Sequence, residues 1–412
     1  MVGKFYLKKS HVVICSRSLK LNLTTYCQCF LKHILNTVLK LKRIIIHDLR
    51  FEIFTKNKIM SQNITKVSIV IPIYNGSKFI DDAFESICKQ SWKRQLEVSI
   101  YDDCSTDDSY QKCILWREKF ECDGIKTVIG KNPNKEPGGV GSAKNNAIKQ
   151  SSGQFICFLD IDDIMEPERI ELQLLKAKEN ENDNVIIGSC YTRIPEGSTI
   201  RYTEWSNSIN KTQLYTQIYT SFGPTIINPT WFCSRKIFDR IGFFKENGKG
   251  FPEDLEFFYR HLDNGGELCK IENSLLKYRY HSEAATFSVH EDTIWDLRMK
   301  QIQKNIISKW GNFTIWNAGK QGRRFYRSLD PENREKVLAL CDVDEKKINR
   351  GIYTCELIKG DDGKPLKVPI VHFKNARKPL IICVKLGLSN GAFEDNLASL
   401  CLEEGKDFYH FN

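Results

Sequence analysis

From Val67 onward the chain alternates short apolar, β-branched runs with segments of helical periodicity, and few architectures accept that alternation. Val67 to Ile71 reads as a strand buried on both faces. Asn75, Gly76 and Ser77 supply a turn and cap, after which Phe79, Ile80, Ala83, Phe84 and Ile87 recur at helical spacing. A second strand at 97–102 leads into a turn at 103–107 and a helix through Ile114, Leu115 and Trp116. A short strand at 126–129, a glycine-rich loop at 138–141, a helix to Gln150 and a strand at 154–159 repeat the unit. Pro167 then opens a helix with Ile170 and Leu174 on one face, and Val185 to Tyr191 is a further apolar strand. Strands joined by helices pair in parallel, so the expected fold class is α/β.

Past Tyr191 the regularity fades until about Lys309, with a strand expected at 275–280. A second β-α-β signature starts at Phe313: a strand to Trp316, the turn Asn317-Ala318-Gly319-Lys320-Gln321-Gly322, a helix, and a strand from Val337 to Cys341 ending at Asp342. The spacing is similar to the dinucleotide fingerprint, but Asn317 stands where its first glycine would be, so a cofactor site and a plain tight turn both remain open. Three segments are expected: a basic extension at 1–60 outside the core, a first domain at 61–309, and a smaller Rossmann-like domain at 310–412.

The formal charge of +10 suggests a polyanion partner until it is divided along the chain. Residues 1–60 carry 12 Lys and Arg against Asp48 and Glu52, and the remainder holds equal numbers of bases and acids. Overall charge therefore gives the globular part no affinity for nucleic acid or anionic membrane, and any basic surface has to be local. No stretch of the extension reaches the ~20 apolar residues of a membrane span, so no anchor is expected. Fifteen cysteines without disulfide-like or zinc-like spacing point to a reducing compartment, the cytoplasm.

Residues with chemistry gather where strands end. Asp160-Ile161-Asp162-Asp163 closes the strand at 154–159; in extended backbone Asp160 and Asp162 share a face, and two carboxylates that close call for a cation. Hard oxygen ligands suit Mg²⁺ or Mn²⁺, ions that also bind diphosphate. Pro72-Ile73-Tyr74-Asn75 and Tyr101-Asp102-Asp103 end two other strands, on the edge where open α/β sheets bind ligands.

Over about Val67 to His281 this joint pattern resembles the family-two glycosyltransferases of the GT-A fold. The resemblance implies a UDP-sugar donor and a divalent metal as cofactor. It implies Pro72 and Tyr74 flanking the nucleotide, and Asp103 accepting from the uracil N3–H. Gly139, Gly141, Lys144 and Asn145 would line the diphosphate side, with Lys144 where many relatives carry Arg. Asp162 would hold the metal, Asp160 would lie near the ribose or sugar and share the metal, and His281 would touch metal or diphosphate. Gly250-Phe251-Pro252-Glu253-Asp254 resembles the family's acidic motif at a helix start, making Asp254 the base and Glu253 a residue that orients the acceptor. Trp231 reads equally as an acceptor platform or as a core residue.

The C-terminal segments narrow the resemblance. Phe313 to Gly322, Cys341-Asp342-Val343-Asp344, Pro369-Ile370-Val371, Lys378 to Lys385 and Asp407 to Asn412 are similar to the β-1,3-N-acetylglucosaminyltransferase-like protein 1 group, which includes the queuosine-tRNA galactosyltransferase. That group implies inverting transfer of galactose from UDP-galactose to queuosine in cytosolic tRNA (tRNA-Tyr). The older family name implies transfer of N-acetylglucosamine to a glycan, and a non-catalytic sugar-nucleotide or RNA-binding protein is the rival from another class. For an RNA acceptor the expected basic surface is the helix carrying Lys320, Arg323, Arg324 and Arg327, with a solvated amphipathic helix as the equal alternative.

Overall fold

The computed structural model describes residues 65–180, 182–220 and 223–412. The expected extension at 1–60 lies outside the described residues. Among those described, the strands form two sheets.

The first sheet uses β1 (Val67–Ile73), β2 (Leu96–Asp102), β3 (Lys126–Lys131), β4 (Phe155–Phe158), β5 (Ile164–Met165), β6 (Val185–Ile194), β7 (Phe232–Ser234) and β8 (Glu267–Arg279). Their order is β3-β2-β1-β4-β7-β6-β8-β5. β3, β2, β1 and β4 run parallel, β7 pairs antiparallel with β4 and β6, and β6 pairs parallel with β8. All seven residues of β1 are buried, as a strand covered on both faces requires. The longer helices include α1 (Ile80–Cys88), α2 (Ser109–Cys122), α3 (Val140–Gln150), α4 (Arg169–Glu179), α5 (Ile200–Ser208), α6 (Glu253–Asp263), α7 (Glu291–Asn305) and α8 (Lys320–Ser328).

The second sheet uses β9 (Phe313–Trp316), β10 (Val337–Asp342), β11 (Ile352–Lys359), β12 (Pro365–His372), β13 (Leu380–Ile382) and β14 (Phe408–His410), in the order β11-β12-β10-β9-β13-β14. Only β11 runs antiparallel to its neighbour. The two sheets share one apolar core: Trp231, Phe257 and Phe258 belong to the same cluster as Trp295, Phe313, Phe325 and Phe411. Phe411 packs edge-on against Trp295 and Phe325, with ring centres 4.9 and 4.8 Å away.

The dinucleotide-like turn is filled by its own chain. Asp342 accepts from the N–H of Ala318, Val343 and Asp344 and pairs with Lys347 at 3.0 Å. Asn317 sits at φ 123°, and a Cβ on Gly322 would fall 1.8 Å from its carbonyl oxygen. The glycine therefore serves a tight turn, and the acid that spacing offers to a ribose closes that turn instead.

The expectation of a free basic face on α8 is corrected for its arginines, while Lys320 at its start is exposed. Arg324 pairs with Glu291 and Asp292 of α7 and lies 3.9 Å from the Trp295 ring centre. Arg327 donates to the Tyr353 hydroxyl, and Arg323 covers the same ring. These guanidinium groups dock the helix onto its own protein.

Candidate active site

The turns after β1 and β2 are joined by short side chains. Asn75 Oδ1 accepts from Thr106 N–H, Ser105 Oγ accepts from Asn75 N–H, and Ser109 Oγ accepts from Gly76 N–H. A Cβ on Gly76 would come within 2.7 Å of Ile161, so only glycine lets the β1 turn lie against the end of β4. Pro72 is buried within β1, and Tyr74, just beyond it, is 51% exposed at the edge.

The acids after β4 are not in extended backbone. Asp163 N–H donates to Asp160 C=O at 3.1 Å, which closes a turn, so the two-residue alternation expected for Asp160 and Asp162 does not apply. They nevertheless remain electrostatic neighbours. Burial, outweighing the pull of Lys144 and joined by the charge on Asp162, raises the Asp160 carboxyl to about 6. Asp160 Oδ1 is shielded and has no protein partner among the described residues. Asp162 Oδ2 lies 2.8 Å from His281 Nε2, the residue that follows β8 by two.

Two residues that spacing did not single out build this corner. Asp163 is fully buried and anchors the turn to β8 by accepting from Arg279 N–H at 2.8 Å. Arg279 Nε donates to the Asp162 carbonyl. Arg169, also fully buried, donates to the carbonyls of Phe158 and Pro229 and so pins the end of β4 from beneath. No motif in the sequence marks an arginine as buried; only the tertiary fold supplies its carbonyl partners.

The glycine-rich loop is held by Asp103. Its Oδ1 accepts from Gly138 N–H and Asn132 Nδ2, and its Oδ2 from Gly139 N–H at 2.8 Å. Gly139 has φ 89°, and a Cβ there would meet the Gly248 carbonyl carbon at 2.9 Å. A Cβ on Gly141 would meet the Lys245 carbonyl oxygen at 2.5 Å. These glycines admit the 245–248 segment, which leads into the acidic motif at α6.

Lys144 and Asn145, expected to line the diphosphate side, turn into the protein. Lys144 Nζ donates to Glu253 Oε1 at 2.9 Å and to Asn228 Oδ1, with its side chain 3% exposed. Burial works against its charge, but Glu253, Asp160 and Asp254 outweigh that and raise its pKa, so it stays cationic. Asn145 donates to the Phe244 carbonyl and to Glu246. The Asn228 side-chain nitrogen is buried without a partner among the described residues.

Asp254, on the first turn of α6, completes the group. Burial, the charge on Glu253 and the more distant Asp160 push its carboxyl up to about 7, against the opposing effect of Lys144. Among the described residues its carboxylate accepts one hydrogen bond, from Leu255 N–H at 2.7 Å. A carboxylate poised near neutrality suits a general base. Trp231, in contrast, is fully buried, donates to the Ile226 carbonyl and packs on Phe158 and Phe257, so it is a core residue and no acceptor platform.

The arrangement can therefore offer a carboxylate oxygen and an imidazole nitrogen, from Asp162 and His281, at the β4 end and take a proton at Asp254. Among the described residues no group of three His, Cys, Asp or Glu side chains is clustered to hold a metal ion; Asp162 and His281 are the adjacent pair.

Residues 68–242 match the family model described as Glycosyl transferase family 2. This segment is a family 2 glycosyltransferase domain. Together with the parallel-rich sheet, it gives the chain a GT-A fold. An uncharacterized glycosyltransferase of Rickettsia felis is 28% identical over 221 residues, covering 53% of this chain and 34% of that protein. The poly(ribitol-phosphate) beta-N-acetylglucosaminyltransferase TarS of Staphylococcus aureus is 29% identical over 195 residues, covering 46% of this chain and 30% of TarS. The chain thus spans about a third of the length of these relatives. The crystal structure of S. aureus TarS 1–349 in complex with UDP-GlcNAc superposes with a TM-score of 0.45 at 21% identity, covering 64% of this chain and 70% of that one. Asp254 and His281 lie beyond the matched family 2 segment.

Proposed function

We propose that the protein is an inverting glycosyltransferase that moves galactose from UDP-galactose to a hydroxyl of queuosine in cytosolic tRNA. The observation that carries the reading is the buried Lys144, paired with Glu253 at 2.9 Å and held cationic also by the charges of Asp160 after β4 and Asp254 on α6. In this reading Tyr74 and Pro72 flank the uracil, and Asp103, whose Oδ2 has a single donor among the described residues, accepts from its N3–H. Asp254 takes the proton of the acceptor hydroxyl. The freed oxygen bonds to the anomeric carbon, the bond from that carbon to the diphosphate breaks, and UDP leaves with the electron pair. Glu253, held by Lys144, orients the acceptor.

Two adjacent donors would begin a divalent-metal site, a carboxylate oxygen of Asp162 and an imidazole nitrogen of His281, with Asp160 the neighbouring acid, whose Oδ1 has no protein partner among the described residues. When bound there, Mn²⁺ or Mg²⁺ would neutralise charge gathering on the departing diphosphate. The choice of galactose and queuosine rests on the resemblance of the C-terminal segments. The relation to TarS favours the second reading, a UDP-N-acetylglucosamine-dependent transferase acting on another acceptor.

The test is UDP release by the full chain with UDP-galactose or UDP-N-acetylglucosamine, against tRNA with and without queuosine. Release that requires both UDP-galactose and queuosine is the expected result. Turnover of UDP-N-acetylglucosamine on a glycan alone would establish the second reading, and no turnover of either donor would make the chain a binding protein.

A further inference from the structure

The parallel register of β6 and β8 pairs Arg193 with Tyr278 and Ile194 with Arg279. Tyr280 extends the ladder, its N–H donating to the Ile194 carbonyl at 2.7 Å. Alternation places Tyr278, Tyr280 and Arg193 on one face, and Arg279 and His281 on the other, where both reach Asp162. The site described above uses only that second face.

On the first face, the Arg193 guanidinium lies 4.1 Å from the ring centre of Tyr278, 5.2 Å from Tyr191 and 5.9 Å from Tyr202. Its Nε donates to Thr203 Oγ1 at 3.3 Å, and among the described residues no carboxylate comes within ion-pair distance of it. Three rings thus fix a cation that has no carboxylate partner among the described residues.

Beyond it stand Tyr280 and Phe287, 43% and 56% exposed, edge-to-face with ring centres 5.8 Å apart. Phe287 belongs to the segment after His281, whose Ser288 carbonyl oxygen approaches Gly250 so closely that a Cβ there would lie 2.8 Å away. The segment therefore connects the Asp162–His281 end of the site to the loop that leads into Asp254.

A fixed guanidinium beside an exposed aromatic pair has the chemistry of a nucleotide subsite: phosphate on the cation, a flat base on the rings. A neutral glycan would leave Arg193 without an anion. We propose that Arg193, Tyr280 and Phe287 form the acceptor subsite, in which an unpaired base of a single-stranded RNA segment stacks on one ring of the pair with the other against its edge, and an adjoining phosphate binds Arg193. The proposal rests on the RNA-acceptor reading and deepens it, and it relocates the RNA surface from α8, whose arginines are engaged internally.

The experiment is transfer from UDP-galactose to a queuosine-bearing anticodon stem-loop by the full chain. Tyr280→Ala/Phe287→Ala, Arg193→Gln and Arg193→Lys are compared with wild type across salt concentrations. Loss of one stacked base should raise KM for the stem-loop roughly 10-fold or more, with kcat much less affected. Arg193→Gln should raise KM and flatten the salt slope by about 0.7, the share of one phosphate contact on a single strand, whereas Arg193→Lys should keep the slope. KM for UDP-galactose and the unfolding temperature separate a lost subsite from a lost fold. A ring-pair variant with wild-type KM for the stem-loop overturns this subsite alone. A wild type that transfers to no RNA overturns the acceptor reading and the subsite with it.

Discussion

Lys144 is the residue on which the acids of the site depend. It is buried against Glu253 and counters the charges of Asp160 and Asp254. Lys144→Met should cost about 3–5 kcal/mol, because it leaves carboxylates buried without their cation. It should also move the rising limb of the kcat–pH profile to higher pH, since Lys144 opposes the upward shift of Asp254. Denaturant unfolding and a kcat–pH series check the two effects. Asp162→Ala should abolish metal-dependent turnover without rescue by excess Mn²⁺, and chelation of the wild type should mimic it; full activity in EDTA would remove the metal from the account. At this scale the residue types were legible and their partners were not. Asp103 was readable as an acid at a strand end, but its three donors in the glycine loop and its neighbour Asn132 exist only once β2, β3 and that loop meet.

The elements themselves were largely legible, because β-branched runs and helical spacing are local signals. β9 falls at the expected residues, and β1, β2 and β10 extend the expected strands by one or two. β5, of two residues, is too short to show a period, and β8 begins at Glu267, well before the aromatic stretch that announced it. The turn at 160–163 was misread as strand because sequence shows where apolar burial stops and not how the backbone then bends. The glycine loop illustrates the same limit: its glycines were legible as a tight element, but the 245–248 segment they admit is about a hundred residues away. Gly141→Ala should therefore destabilise by about 1–3 kcal/mol and lower kcat through displacement of the loop leading into Asp254. Thermal unfolding and donor titration check this. A variant of wild-type stability that has lost donor affinity would show that the glycine serves phosphate instead.

At the scale of the molecule, the two sheets are bound through one core, and Phe411 lies fully buried within it between Trp295 and Phe325. Phe411→Ala should cost about 3–5 kcal/mol and lower the stability of both sheets together, read as one cooperative transition by probes in each. Two separated transitions would contradict the shared core. That packing was not legible: two β-α-β patterns in a sequence read as two domains, and nothing local says that their apolar faces meet. No helix of the described residues is long and apolar enough to cross a membrane. In the proposed function Asp254 acts as base at the edge of the first sheet. The most direct test is kcat against pH for wild type and Asp254→Asn, with saturating UDP-galactose and queuosine-bearing tRNA. Below its pKa Asp254 is protonated and cannot accept a proton, so wild-type kcat should rise with pH through about 7. Asp254→Asn should lose roughly 10²–10⁴-fold in kcat and the rising limb with it, at nearly unchanged donor affinity. An Asp254→Asn variant with wild-type kcat and the same rising limb would contradict the account.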